Sequence, residues 1–111
     1  MSELLDKQFE FTRLFSKLLV WLHENGYEVT VGEAYRTKEQ AEWDAEHGTG
    51  IKNSLHCDRL AMDLNLFWEG DYLTQTMDYR KAGEYWESIG GSWGGRFGDA
   101  NHFSIAYGGR K

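Results

Sequence analysis

Three side chains of metal-ligating type, His56, Asp63 and His102, stand where strands could gather them. His56 closes Asn53-Ser54-Leu55-His56, just ahead of a stretch in which Leu60, Met62, Leu64 and Leu66 alternate with Ala61, Asp63 and Asn65. Such alternation marks a strand with one apolar face, and Asp63 falls on the other face. A carboxylate buried there without a partner is costly, so Asp63 either meets water or is compensated by something positive. Taken alone, His56 and Asp63 leave that choice open. His102 changes the balance, because it begins a second alternating stretch whose apolar residues, Phe103 and Ile105, point the other way. Two strands then each offer a ligand-type side chain on the face turned from the core. Two nitrogens and one carboxylate oxygen leave a fourth zinc position open to water, which a catalytic rather than a structural zinc requires.

Asp99 lies three residues before His102. That spacing can set a carboxylate beside a metal-bound water without making it a ligand, and such a group can take the proton as the water attacks. Arg36 follows the first strand, close to a helix N-terminus where a cation is mildly unfavourable. It is either a surface arginine or the grip for a substrate carboxylate or a developing oxyanion. His23 and His47 fall near helix C-termini, where a histidine ordinarily sits. Cys57 neighbours His56, but adjacent residues of an extended segment point to opposite sides, so a small core residue is expected rather than a nucleophile. Trp68 and Trp93 lie in turn-like segments and are candidates either for core packing or for the wall of a substrate groove.

The elements that would position these groups follow from periodicity. Leu4, Leu5, Phe11, Leu14, Phe15, Leu18, Leu19 and Leu22 recur at helical spacing, and Asn25-Gly26 supplies the stop. Tyr27 to Val31 reads as a strand. Thr37 and Gln40 form a capping box opening a helix that ends at Gly48, and Gly48-Thr49-Gly50 is a loop. Glu69-Gly70-Asp71 is a turn. Tyr79, Ala82, Gly83, Trp86 and Ile89 have helical spacing, stopped by Gly90-Gly91. The order is helix, strand, helix, strand, helix, strand, which points to an α+β fold with a small antiparallel sheet and helices packed against it. With no repeat and no linker, residues 1–111 are expected to form a single domain.

Composition narrows the function classes. The chain has 111 residues, 41% of them apolar and 15% aromatic, with 13 Gly and no Pro, enough for one core. A net charge of −6 and a pI near 5.1 argue against nucleic acid and anionic surfaces as partners. A single cysteine excludes an internal disulfide framework. The N-terminus shows no secretory signal and no stretch is apolar enough to span a bilayer, so cytoplasmic synthesis is expected.

Tyr35-Arg36-Thr37, then Gly50 to His56, then Arg59-Leu60-Ala61-Met62-Asp63-Leu64-Asn65-Leu66, then Trp93-Gly94-Gly95 through Asp99-Ala100-Asn101-His102-Phe103 together resemble the D-Ala-D-Ala carboxypeptidase and L-alanyl-D-glutamate endopeptidase family. These are zinc peptidases of the LAS type with a hedgehog-like fold. The resemblance implies one zinc per chain on His56, Asp63 and His102, with Asp99 as catalytic carboxylate and Arg36 positioning substrate. Ser54 falls where the family has a small hydroxyl near the site. Carboxypeptidase branches usually carry Glu where this chain has Asp99, and Asp resembles the phage endolysin branch that cuts between L-Ala and D-Glu. The expected partner is therefore a peptidoglycan stem peptide, met by a monomer, with holin-mediated release giving access to the wall. The rivals are a D-Ala-D-Ala carboxypeptidase or dipeptidase of wall remodelling, a non-catalytic zinc-binding module and a Cys57 thiol hydrolase.

Overall fold

The computed structural model describes residues 2–48 and 54–111. Among these, α1 spans Glu3–Glu24, β1 Tyr27–Val31, α2 Lys38–Glu46, β2 Ala61–Trp68, β3 Asp71–Tyr72, α3 Thr76–Ser88, β4 Ser92–Trp93 and β5 His102–Ser104. Short 3-10 turns cover Leu55–Asp58 and Gly94–Phe97. The Gly48-Thr49-Gly50 loop expected from sequence lies mostly outside the described residues.

Each helix begins where its sequence can satisfy the free N–H groups of a first turn. The Ser2 hydroxyl accepts from Leu5 N–H at 3.1 Å, and the Thr37 hydroxyl accepts from Gln40 N–H at 3.0 Å. The capping box expected at Thr37 is only half made. Gln40 turns its amide along the helix to Asp44 at 2.7 Å instead of back to the cap. The complete box is at α3, between Gln75 and Asp78.

The sheet is antiparallel throughout, in the order β1-β2-β5-β4, with β3 also pairing β2. β2 is its spine. Its residues 64–68 pair with β1, while on the opposite edge 61–63 pair with β5 and 67–68 with β3. Leu60, Leu64 and Leu66 are fully buried on one face, against Leu18 and Leu22 of α1 and Ala82 and Trp86 of α3. Burying each such leucine contributes roughly 1.5–3 kcal/mol. The Trp86 indole N–H is not stranded by this burial, since it donates to the carbonyls of Ser104 at 2.8 Å and Ser92 at 3.2 Å. α1 and α3 therefore cover one side of the sheet, and the side chains of Asp63 and His102 project on the other.

Two glycines make the packing behind the site possible. A Cβ on Gly83 of α3 would stand 2.0 Å from Trp93, so the indole lies directly on the helix backbone. A Cβ on Gly94 would meet the Asp99 carbonyl at 2.2 Å and His102 Cβ at 2.7 Å. The Trp93-Gly94 step is thus shaped by the close approach of the segment that carries Asp99 and His102.

Candidate active site

Asp63 and His102 are directly opposed in the β2–β5 register. In an antiparallel pair, opposed residues project on the same face with Cβ atoms about 4.5–5.5 Å apart. His56 is brought to them by the 3-10 turn before β2. That turn is fastened on several sides: the Ser54 hydroxyl accepts from His56 N–H at 3.1 Å, Arg110 pairs with Asp58 at 2.6 Å, and Gln8 donates to the Asp58 carbonyl at 2.8 Å.

The segment 32–36, running on from β1, stitches two of the three groups together. Gly32 N–H donates to the Asp63 carbonyl and Asp63 N–H donates to the Glu33 carbonyl, both at 2.8 Å. Arg36 N–H donates to the His56 carbonyl at 3.2 Å, and the Ala34 carbonyl takes a 2.7 Å hydrogen bond from His56 Nδ1. A carbonyl can only accept, so Nδ1 carries the proton and Nε2 presents its lone pair.

That lone pair points at Asp63. His56 Nε2 lies 3.2 Å and His102 Nδ1 3.5 Å from Asp63 Oδ1, and one ligand atom from each residue can be chosen so that all lie within 4.8 Å of one another. Bond lengths of about 2.0–2.1 Å around a tetrahedral zinc put neighbouring ligand atoms about 3.3 Å apart, and the two separations lie on either side of that value. Asp63 Oδ1 and His102 Nε2 are also buried without a hydrogen-bond partner among the described residues. The oxygen approaches both rings without hydrogen-bond alignment, which suits donors converging on a cation between them. Both histidines are buried, at 3% and 7% exposure, so a metal there would be well shielded.

The electrostatics agree. Burial alone would raise the Asp63 carboxyl, but the two histidines outweigh it and bring its pKa to about 2. For His56, burial opposes the charged ring, yet Asp63 and the Ala34 carbonyl raise its pKa overall. Asp99 stands at the rim, half-exposed, with Oδ2 3.8 Å from His102 Nδ1. Partial burial raises its carboxyl, the charge of His102 opposes this, and that of Asp63 adds to it.

Arg36 is placed near these groups but is not free. Its Nε and Nη2 both donate to the Glu33 carboxylate, the Nη2 bond at 2.7 Å. The side-chain bond to Glu33 raises the arginine's pKa, against burial, and lowers that of Glu33. Sequence reasoning missed Glu33. Its one readable signal was the Glu33–Arg36 spacing, which lies outside any helix and so implied no side-chain pair.

The structure overturns one expectation, that for Cys57, and narrows those for Ser54, Trp93 and Trp68. The Ser54 hydroxyl is buried and committed to His56 N–H, so Ser54 positions His56 rather than facing a groove. Trp93 is 3% exposed and donates to the Ala100 carbonyl at 2.7 Å, which makes it the support beneath the Asp99–His102 segment. Trp68 is exposed, but it shares the β2 face of Leu66 and packs edge-on against Tyr27 at 5.2 Å, on the side turned from Asp63. Cys57 is partly exposed in the turn, with Sγ 3.9 Å from the Thr37 carbonyl, and not a core residue. Burial pushes its thiol pKa up, which disfavours the thiolate that a nucleophile needs. His47 Nδ1 donates to the Trp43 carbonyl at 2.8 Å and its ring stacks on the Trp43 indole, the helix-end role expected of it.

A sheet that gathers two histidines and an aspartate on one face, with a further carboxylate at the rim, fits a metallopeptidase site. Residues 47–105 match the peptidase M15 family described as D-alanyl-D-alanine carboxypeptidase, and the chain belongs to that family of zinc peptidases. No curated protein matches it. Among solved structures it is similar to the L-Ala D-Glu endopeptidase ChiX of Serratia marcescens. That similarity has a TM-score of 0.67 and 19% identity, over 87% of this chain and 78% of that one. It is also similar to a mutant of the D,D-pentapeptidase VanY from a VanB-type vancomycin resistance cassette, solved with Zn(II). Here the TM-score is 0.58 and the identity 20%, over 86% of this chain and 70% of that one. At these identities the two structures bear on the fold.

Proposed function

We propose that this chain hydrolyses peptidoglycan stem peptides at the L-alanyl-D-glutamate bond, with one zinc held by His56, Asp63 and His102. The observation that carries the reading is Asp99, a carboxylate raised by partial burial and standing 3.8 Å from a proposed ligand without joining the ligand group. Zinc held by these three residues would supply a Lewis acid for the scissile carbonyl and would lower the pKa of a water. Asp99 takes the proton from the attacking water at Oδ2 and returns it to the leaving amine. Arg36 turns the N–H groups not used by Glu33 toward a substrate carboxylate or the oxyanion.

The choice of bond is supported by Asp rather than Glu at position 99, and by the Serratia neighbour, which is an L-Ala D-Glu endopeptidase. The biological setting that fits is lysis of a phage-infected cell, by a single-domain monomer reaching the wall after release through the inner membrane. No helix among the described residues is long and apolar enough to cross a membrane. The family's description favours a second reading, removal of terminal D-Ala.

Mass spectrometry of purified peptidoglycan treated with the protein, with and without chelator, tests both. Chelator-sensitive release of stem peptides beginning at D-Glu supports the proposal. Release of free D-Ala replaces it with the second reading, and absence of any new product overturns both.

A further inference from the structure

Along one edge, β2 is paired with β5 as far as Asp63 and with β3 from Phe67. The edge between them is closed by single bonds: Leu64 N–H to the Asn101 carbonyl at 2.9 Å, Leu73 N–H to the Leu66 carbonyl at 2.9 Å, and Leu66 N–H to the Tyr79 hydroxyl at 3.2 Å. Over this break lies a cavity of about 330 Å³, lined on one side by Tyr72, Thr74 and Thr76 and on the other by Gly98, Ala100 and Asn101. The second wall is the backbone that carries Asp99 and leads into His102. The first wall reaches the metal-bearing face, because the Tyr72 hydroxyl contacts Asn65 Oδ1 at 3.5 Å, and Asn65 is the next residue after Asp63 on that face.

The lining has a definite chemistry. No lysine, arginine, aspartate or glutamate contributes to it. The Thr74, Thr76 and Asn101 side chains make no hydrogen bond to other described residues, whereas the Tyr79 hydroxyl beneath them is fixed by donating to the Leu73 carbonyl at 2.9 Å. Thr74 and Thr76 are exposed and Asn101 half-buried, so an anion entering here meets no cation and an apolar group forgoes the hydrogen bonds that these groups now make with water, whereas a hydrogen-bonding group can replace that water. A carboxamide, which donates and accepts in one plane, suits such a wall.

We infer that this cavity is a substrate subsite that takes a carboxamide group of the substrate, beside the scissile bond. The inference rests on the stem-peptide reading. Two sources share this chemistry: an amidated glutamyl carboxyl of the peptide, and the acetamido group of an adjoining sugar.

The test uses synthetic stem peptides in which the glutamyl α-carboxyl is free or amidated, each with and without the sugar, on wild-type protein and on the Thr74→Val/Thr76→Val variant. The wild type is expected to favour the carboxamide over its carboxylate counterpart, or the sugar-bearing over the sugar-free peptide, by about tenfold in kcat/KM, the worth of one or two net hydrogen bonds. The preferred arm identifies the source. The variant is expected to lose the preference through KM. Equal rates on all four substrates, or a preference that survives in the variant, overturns the inference.

A binding measurement keeps the test independent of turnover. In the zinc-loaded wild type, the amide resonances of Thr74, Thr76 and Asn101 should shift with a carboxamide-bearing ligand and not with the free carboxylate. No shift overturns the subsite. Shifts without any cleavage leave the subsite standing and instead count against the proposed reaction.

Discussion

Glu33 holds Arg36 by two hydrogen bonds from the same side of the guanidinium, through Nε and Nη2. Of the five N–H groups of an arginine, this leaves the outer edge for a second carboxylate or an oxyanion. The pair therefore fixes the plane in which Arg36 can act while partly neutralising its charge. Arg36→Lys is expected to lose most activity, since an ammonium cannot reproduce the planar fork. Glu33→Gln keeps one acceptor and should raise KM by about tenfold, the worth of one charge-assisted bond. Zinc content should be normal in both variants. Steady-state kinetics beside metal analysis checks this, and wild-type kinetics in Arg36→Ala would return the arginine to a structural role.

The metal assignment predicts a shared loss. His56→Ala and His102→Ala should each lose zinc and activity together, because two donors cannot keep a tight site. Binding energy for the folded state is also folding energy, about 4 kcal/mol at a thousandfold excess of zinc over Kd, so chelator should lower Tm. Full zinc occupancy in the double variant would remove these residues from the site.

Asp99 should behave differently from the ligands. Asp99→Asn keeps the size and loses the proton acceptor, so zinc should stay while turnover falls roughly 10²–10⁴-fold. Asp99→Glu should retain part of the rate. Loss of zinc in Asp99→Asn would make this residue a ligand and put Asp63 in doubt.

On the proposed ligand set, protons and zinc compete for His56. The metal-free ring has a pKa above its ordinary value, whereas Asp63, with a pKa of about 2, is already ionised. As pH falls through the raised histidine value, the protonated ring must be discharged before the metal can bind, so affinity weakens. The decline should therefore begin nearer neutrality than for an ordinary histidine site, and Asp63 should add nothing to it above about pH 3. Zinc titrations against a competing chelator from pH 5 to pH 8 would show whether affinity falls in that order.

The parts of this arrangement that follow a local period were legible in the sequence. Alternation placed Asp63 and His102 on the faces turned from Leu64 and Phe103, and the structure brings the two side chains opposite each other. The same alternation put Trp68 on the face of Leu66, and its position beside a turn was a poorer guide than its parity. What failed had no local period to reveal it. Cys57 was read as extended, but the chain coils into a 3-10 turn there, capped by Ser54. The purpose of Trp93 became visible only with Gly83 beneath it and Ala100 above. β3 and β4, two residues each, are too short to carry a period.

The stitching of segment 32–36 to β2 bears on how the protein opens. The amides of Asp63 and Leu64 are held by the carbonyls of Glu33 and Asn101, from opposite edges of the same strand. Amides enclosed in this way exchange with deuterated solvent only when large units of structure open. The slowest-exchanging hydrogens should therefore cluster around Asp63, whereas the chain ends exchange early. Fraying at the periphery would then leave the three donors in register, and a cation could depart through the open face of the sheet while the fold stayed closed behind it.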